Sequence, residues 1–150
     1  MSSLKYLFAL LVALVSLGFA PALQARDMVS VARPEINMRT GASTRHSVVW
    51  ALSKGYPLEV IARKGKWLKV RDFEKDSGWV SRPLVNKTPH VIVKSSISNV
   101  RSEPSTRGRI LGKAPYGEVL RTLEHRDDWV KVQRDGGLKG WISRRLVWGW

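Results

Sequence analysis

Hydrophobic and polar positions divide this chain into one solid apolar block and a long series of short alternating runs. The block, Leu7 to Ala20, follows a start carrying Lys5 and ends at Pro21 among the small residues Ala20, Ala22 and Ala25. That layout is the layout of a secretory signal peptide, predicted over residues 1–25 with cleavage after Ala22 or Ala25. The block is shorter than the roughly 20 residues that cross a bilayer, so no stable membrane span is expected in the mature chain. Beyond it the period becomes two. Pro57-Leu58-Glu59-Val60-Ile61-Ala62-Arg63 and the later Val119-Leu120-Arg121-Thr122-Leu123-Glu124 are rich in β-formers, the second alternating less cleanly. Trp67-Leu68-Lys69-Val70-Arg71 and Trp129-Val130-Lys131-Val132-Gln133 are expected to be half-buried antiparallel strands, with Trp and Val on one face and Lys on the other. Glu74-Lys75-Asp76-Ser77 and Asp135-Gly136-Gly137 then predict hairpin turns, followed by strands at Gly78-Trp79-Val80 and Gly140-Trp141-Ile142. No stretch of the mature chain offers an amphipathic helix of three turns.

The runs occur twice. An ungapped offset of 62 positions sets Asn37 and Arg39 over Asn99 and Arg101, and Ser43-Thr44-Arg45 over Ser105-Thr106-Arg107. The same offset sets Gly55 over Gly117, Trp67 over Trp129, and Gly78-Trp79 over Gly140-Trp141. The two units end alike, with Ser81, Arg82, Leu84 and Val85 over Ser143, Arg144, Leu146 and Val147. Self-similarity at a fixed period marks a duplicated structural unit. The predicted organisation is a barrel at 28–85, a linker at 86–90 and a second barrel at 91–148. Five linker residues reach at most about 17 Å, so the barrels are expected to touch and to leave a groove between them.

These residues carry a resemblance. Asn37-Met38-Arg39-Thr40-Gly41-Ala42-Ser43-Thr44, Val48 to Val60, Trp67-Leu68-Lys69-Val70 and Gly78-Trp79-Val80 are similar to a bacterial SH3 domain. The second copy repeats the pattern in Asn99 to Thr106, Trp129-Val130-Lys131-Val132 and Gly140-Trp141-Ile142, with Gly112 where the first has Trp50. The resemblance implies an all-β fold of two tandem five-stranded SH3-like barrels. It further implies an exported, periplasmic or envelope-associated protein that contacts cell wall or a partner protein and is not itself catalytic.

Composition narrows the chemistry. The chain of 150 residues has 26 Lys and Arg against 12 Asp and Glu, a formal charge of +14, and no cysteine. Without cysteine there is no disulfide, no thiolate metal site and no thiol nucleophile. The charge is shared, because residues 28–86 hold 11 basic and 5 acidic residues and residues 87–150 hold 13 and 6. A basic surface of this size seeks a polyanion. Export makes a wall polymer such as peptidoglycan, or a periplasmic protein, the expected partner in place of nucleic acid.

Candidate residues follow from what recurs and what does not. Arg39 and Arg101, with Arg45 and Arg107 of the same loop, suit a carboxylate or phosphate ligand or an internal salt bridge. Trp50, Trp148 and Trp150 have no repeat partner and suit stacking on a ligand or sealing a barrel edge. The repeated tryptophans Trp67, Trp79, Trp129 and Trp141 are expected in or against the cores, and Asn37 and Asn99 on turn backbone. His46, His90 and His125 are not spaced to share a metal, and no cofactor motif occurs. Glu124-His125-Arg126-Asp127-Asp128 is expected to be a solvated hairpin loop. Catalysis is not expected.

Overall fold

The computed structural model describes residues 25–150, so the predicted signal peptide lies outside the described residues but for Ala25. Alternating side chains make strands, and the first unit contains seven: β1 (Met28–Val31), β2 (Glu35–Arg39), β3 (Val48–Ser53), β4 (Pro57–Lys64), β5 (Trp67–Arg71), β6 (Ser77–Ser81) and β7 (Val85–Asn86). The second repeats them as β8 (His90–Val93), β9 (Ile97–Arg101), β10 (Ile110–Pro115), β11 (Val119–Arg126), β12 (Trp129–Gln133), β13 (Lys139–Ser143) and β14 (Val147–Gly149). Each set forms one antiparallel sheet, in the orders β3-β2-β6-β5-β4-β1-β7 and β10-β9-β13-β12-β11-β8-β14. The all-β expectation holds, while the count of strands per unit is seven where five were predicted. The additions are short pieces at the ends of each unit, and β7 has only two residues. A short 3₁₀ turn, Arg82–Leu84 or Arg144–Leu146, leads into the last strand of each sheet. Among the described residues no helix is long and apolar enough to cross a membrane.

One face of each sheet wraps its own aliphatic core. Val29, Val31, Ile36, Met38, Leu52, Leu58, Leu68, Val70 and Val80 come from six strands yet form one cluster, which requires the sheet to curl on itself. The second core repeats it with Val91, Val93, Val100, Ala114, Leu120, Val130, Val132, Ile142 and Val147. Neither core cluster contains a tryptophan. In β5, Leu68 and Val70 are buried while Trp67 and Lys69 share the opposite, half-exposed face, and β12 behaves likewise. This corrects the expectation that Trp and Val lie together: Trp67 and Val70 are three apart, and a period of two puts them on opposite faces. The repeated tryptophans pack against the outside of the sheets. Trp141 alone of the four is buried, under Arg126 and Lys131 at 4.9 and 5.9 Å from its ring.

Register shifts explain the uneven alternation of β11. Pairing slips between Val60 and Ala62 and, at the matching place, between Thr122 and Glu124. A bulge leaves one residue unpaired and bends the strand. The skipped residues, Ile61 and Leu123, are the exposed hydrophobics of these strands. Asn37 and Asn99 lie inside strands, opposite Ala51 and Lys113, and not on turns as expected. Glu124 to Arg126 closes β11 and Asp127 begins the hairpin turn with a positive φ of 51°.

The units touch. The Ser30 hydroxyl of β1 donates to the Thr88 carbonyl of the connector at 2.6 Å, and Asp27 binds both Lys87 and Arg63. Phe73 packs its ring 5.4 Å from that of Tyr116 across the two units, and the Tyr116 hydroxyl donates to Glu74 at 2.7 Å. The two ends of the described chain also meet. Arg26 lies 5.2 Å over the Trp148 ring and donates to the Gly149 carbonyl at 2.9 Å.

Candidate functional site

A cleft of about 600 Å³ opens where the units meet. The first unit contributes Val31, Ala32, Lys54 and Asn86, the connector Thr88, and the second His90, Val119, Arg121, Gln133 and Arg134, with Asp135 and Gly136 at the hairpin. Each arrives for a local reason. Lys54 precedes Gly55, whose φ of 83° turns the chain from β3 into β4. His90 starts β8 and fits against that turn, for a Cβ on Gly55 would meet its imidazole at 2.8 Å. Arg121 pairs with His90 in register between β11 and β8.

The charge is arranged asymmetrically. Arg134 is already committed to Glu118, at 2.5 and 3.0 Å, and to the Lys113 carbonyl at 2.7 Å. Among the described residues Lys54 and Arg121 form no ion pair. Burial of His90 lowers its pKa below the ordinary histidine value; the Thr88 carbonyl, 2.9 Å from Nδ1, opposes this, and Arg121 and Lys54 reinforce it. The cleft therefore presents two cations without an ion pair, Lys54 and Arg121, against one carboxylate, Asp135, together with a histidine that resists protonation and neutral amide and hydroxyl groups on Asn86, Thr88 and Gln133. Such a lining suits an anion attached to a polar, uncharged chain.

None of the sequence-predicted candidates lines this cleft, and the structure does not gather them elsewhere. Arg39 donates to the Thr44 and His46 carbonyls at 3.2 and 3.0 Å, and Arg101 donates to the Gly108 carbonyl at 3.0 Å. Both guanidinium groups thus hold their own loop, using carbonyl oxygens and no acid. Arg45 and Arg107 are exposed in those loops. Trp148 lies in β14, paired along β8, and the backbone of Trp150 exchanges bonds with His90 and Thr122. Trp50 stands exposed on the edge strand β3, over a second and smaller cleft with Tyr56, Asp72, Glu74 and Asp76. The residues that do meet, Lys54, His90 and Arg121, are scattered in sequence and unrepeated; nothing in their spacing marks them.

Two small antiparallel sheets, each curled on an aliphatic core and linked by a few residues, define a tandem of SH3-like units. The chain belongs to the bacterial SH3 domain family, with one match over residues 32–87 and another over 95–147. It is 24% identical over 140 residues to YrvJ of Bacillus subtilis, named as a candidate N-acetylmuramoyl-L-alanine amidase. That alignment covers 86% of this chain and 27% of YrvJ, so the chain spans about a quarter of that relative's length. Among solved structures, NlpC1 of Trichomonas vaginalis is similar at 18% identity and a TM-score of 0.36, over 84% of this chain and 46% of that one. An NlpC/P60 family protein of Bacillus cereus is similar at 13% identity and a TM-score of 0.38, over 83% and 56%.

Proposed function

We propose that this protein is a non-catalytic binding module of the bacterial cell envelope, exported across the membrane, that holds peptidoglycan or another anionic wall polymer in the cleft between its two barrels. The observation that carries this is the pair of free cations, Lys54 and Arg121, facing one cleft from different barrels beside neutral hydrogen-bonding groups and outnumbering its one carboxylate, Asp135. A polymer strand laid there touches both units at once, which gives the duplication a purpose. Membership of the bacterial SH3 family and the likeness to a relative named for a wall amidase support a cell-wall setting. The net charge of both units supports an anionic partner.

The test is co-sedimentation of purified protein with isolated cell wall across a salt series. Binding should weaken steeply as ionic strength rises, because exposed charge contacts are screened within about 8–10 Å at physiological salt. Lys54→Ala with Arg121→Ala should abolish most of the binding while leaving the fold intact. Protein that stays in the supernatant at low salt overturns the proposal, and soluble wall fragments released by the protein alone overturn its non-catalytic part.

A further inference from the structure

The second cleft, of about 150 Å³, is lined by Trp50, Ala51, Leu52, Tyr56, Asp72, Glu74 and Asp76. Three of the five acids of the first unit therefore face one small recess in a chain whose net charge is strongly positive. Asp72 is only 5% exposed, and its Oδ1 accepts the backbone N–H groups of Glu74 and Asp76, each at 2.9 Å. Among the described residues its Oδ2 has no hydrogen-bond or ionic partner. That oxygen is not sealed away either, since no fully buried side-chain oxygen among the described residues lacks a partner, and Asp72 is one of the residues lining the cleft. Burial raises the pKa of Asp72 and the neighbouring carboxylates add to the rise, while the two backbone bonds oppose it. A carboxylate held in this way costs free energy until a cation joins it.

The duplicated unit shows what the missing group is. At the offset of 62, Asp72 and Tyr56 become Arg134 and Glu118, which form their own ion pair. Trp50 and Asp76 become Gly112 and Leu138, and Leu138 lies on Gly112 so closely that a Cβ there would meet it at 2.7 Å. The second unit thus carries its cation internally and fills the recess with leucine. The first has the anion and the aromatic walls but no cation.

We infer that the recess beneath Trp50 binds a primary ammonium group on a short aliphatic stem, with Asp72 Oδ2 as its counter-ion and Trp50 and Tyr56 as its walls. Aromatic faces attract cations as well as covering aliphatic carbon. An ammonium is favoured over a guanidinium because Oδ1 is occupied; a single free oxygen matches a point charge, whereas the planar fork wants two. Glu74, whose Oε1 accepts the Tyr116 hydroxyl, and Asp76 supply the surrounding negative field. This site is separate from the cleft between the barrels and stands whether or not a wall polymer occupies that cleft.

The experiment is a ¹H–¹⁵N titration of the purified protein, following the Trp50 indole N–H, assigned by its loss in Trp50→Ala. The probes are Nα-acetyl-lysine amide (side-chain ammonium only), alanine amide (α-ammonium only), Nα-acetyl-arginine amide and the uncharged Nα-acetyl-norleucine amide. A saturable shift with the lysine or alanine probe is expected, the better of the two identifying the source of the ammonium. Asp72→Asn, which keeps the carbonyl that accepts both backbone bonds, should weaken binding at least tenfold. Trp50→Ala, an exposed position whose change does not threaten the fold, should weaken it at least threefold, read from the Tyr56 backbone amide. No saturable shift, an equal response to the norleucine probe, tighter binding of the arginine probe, or unchanged binding in a folded Asp72→Asn protein would each overturn the inference.

Discussion

Gly140 sits where strand β13 crosses β9, and replacing it with alanine tests the fold at its tightest point. A Cβ there would lie 2.7 Å from the Arg101 carbonyl oxygen and 2.7 Å from Val100 Cγ1. The carbonyl belongs to the residue that pairs with Trp141, so it cannot retreat without loosening the contact that joins the two strands. Overpacking of this kind costs about 1–3 kcal/mol. Gly→Ala also removes freedom from the unfolded chain, which stabilises by about 0.4–1 kcal/mol. Gly137 isolates the second effect: its φ is not positive and nothing lies within 4 Å of a Cβ built on it. Urea denaturation should therefore show Gly137→Ala slightly more stable than wild type and Gly140→Ala less stable than Gly137→Ala by about 1–3 kcal/mol. In a unit of this size the difference corresponds to roughly 4–24 °C in Tm. Equal midpoints for the two variants would refute the crossing geometry, and with it the same constraint at Gly78, whose Cβ would lie 2.8 Å from the Arg39 carbonyl.

Two further outcomes are expected. Arg39→Ala should lower stability by about 1 kcal/mol and speed amide exchange in the loop between β2 and β3, with wall binding unchanged, since its hydrogen bonds go to loop carbonyls; binding lost without any change in loop exchange would place Arg39 on the ligand instead. Because burial lowers the His90 pKa, the unfolded chain takes up a proton that the folded one refuses as pH falls through about 6.5, the ordinary histidine value, so stability drops with acidification. Melts at pH 7.5 and 5.5 should show that loss in wild type and a smaller one in His90→Gln; identical losses would remove His90 as a source.

The fold was legible because the duplication was. A constant offset of 62 runs through strands, turns and bulges alike, and both sheets adopt one order. What misled was local. The tryptophans are the bulkiest apolar groups and invite a place inside, yet a curled sheet of this size is filled by Val, Leu, Ile and Met. The strands at the ends of each unit are too short for periodicity to register. The cleft between the units was foreseeable as a groove but not in its residues, because Lys54 and Arg121 meet only through the way two barrels abut. The smaller recess is a different matter. Its sign was present in the offset itself, where Tyr56 and Asp72 change together to Glu118 and Arg134, an exchange of a polar pair for a salt-bridged one.

The meeting of Arg26 with Trp148 and Gly149 bears on how such a unit is threaded into a longer polypeptide. Stretched out, residues 26–149 would reach roughly 400 Å at 3.3 Å per residue. Folded, they enter and leave at one point. Whatever is joined before and after is kept at nearly constant spacing, as if the two barrels hung from the chain as a side loop. Insertion into a larger protein then adds a folded body without adding length, and a circular permutant sealed across this contact and opened at an exposed turn would keep every strand pair.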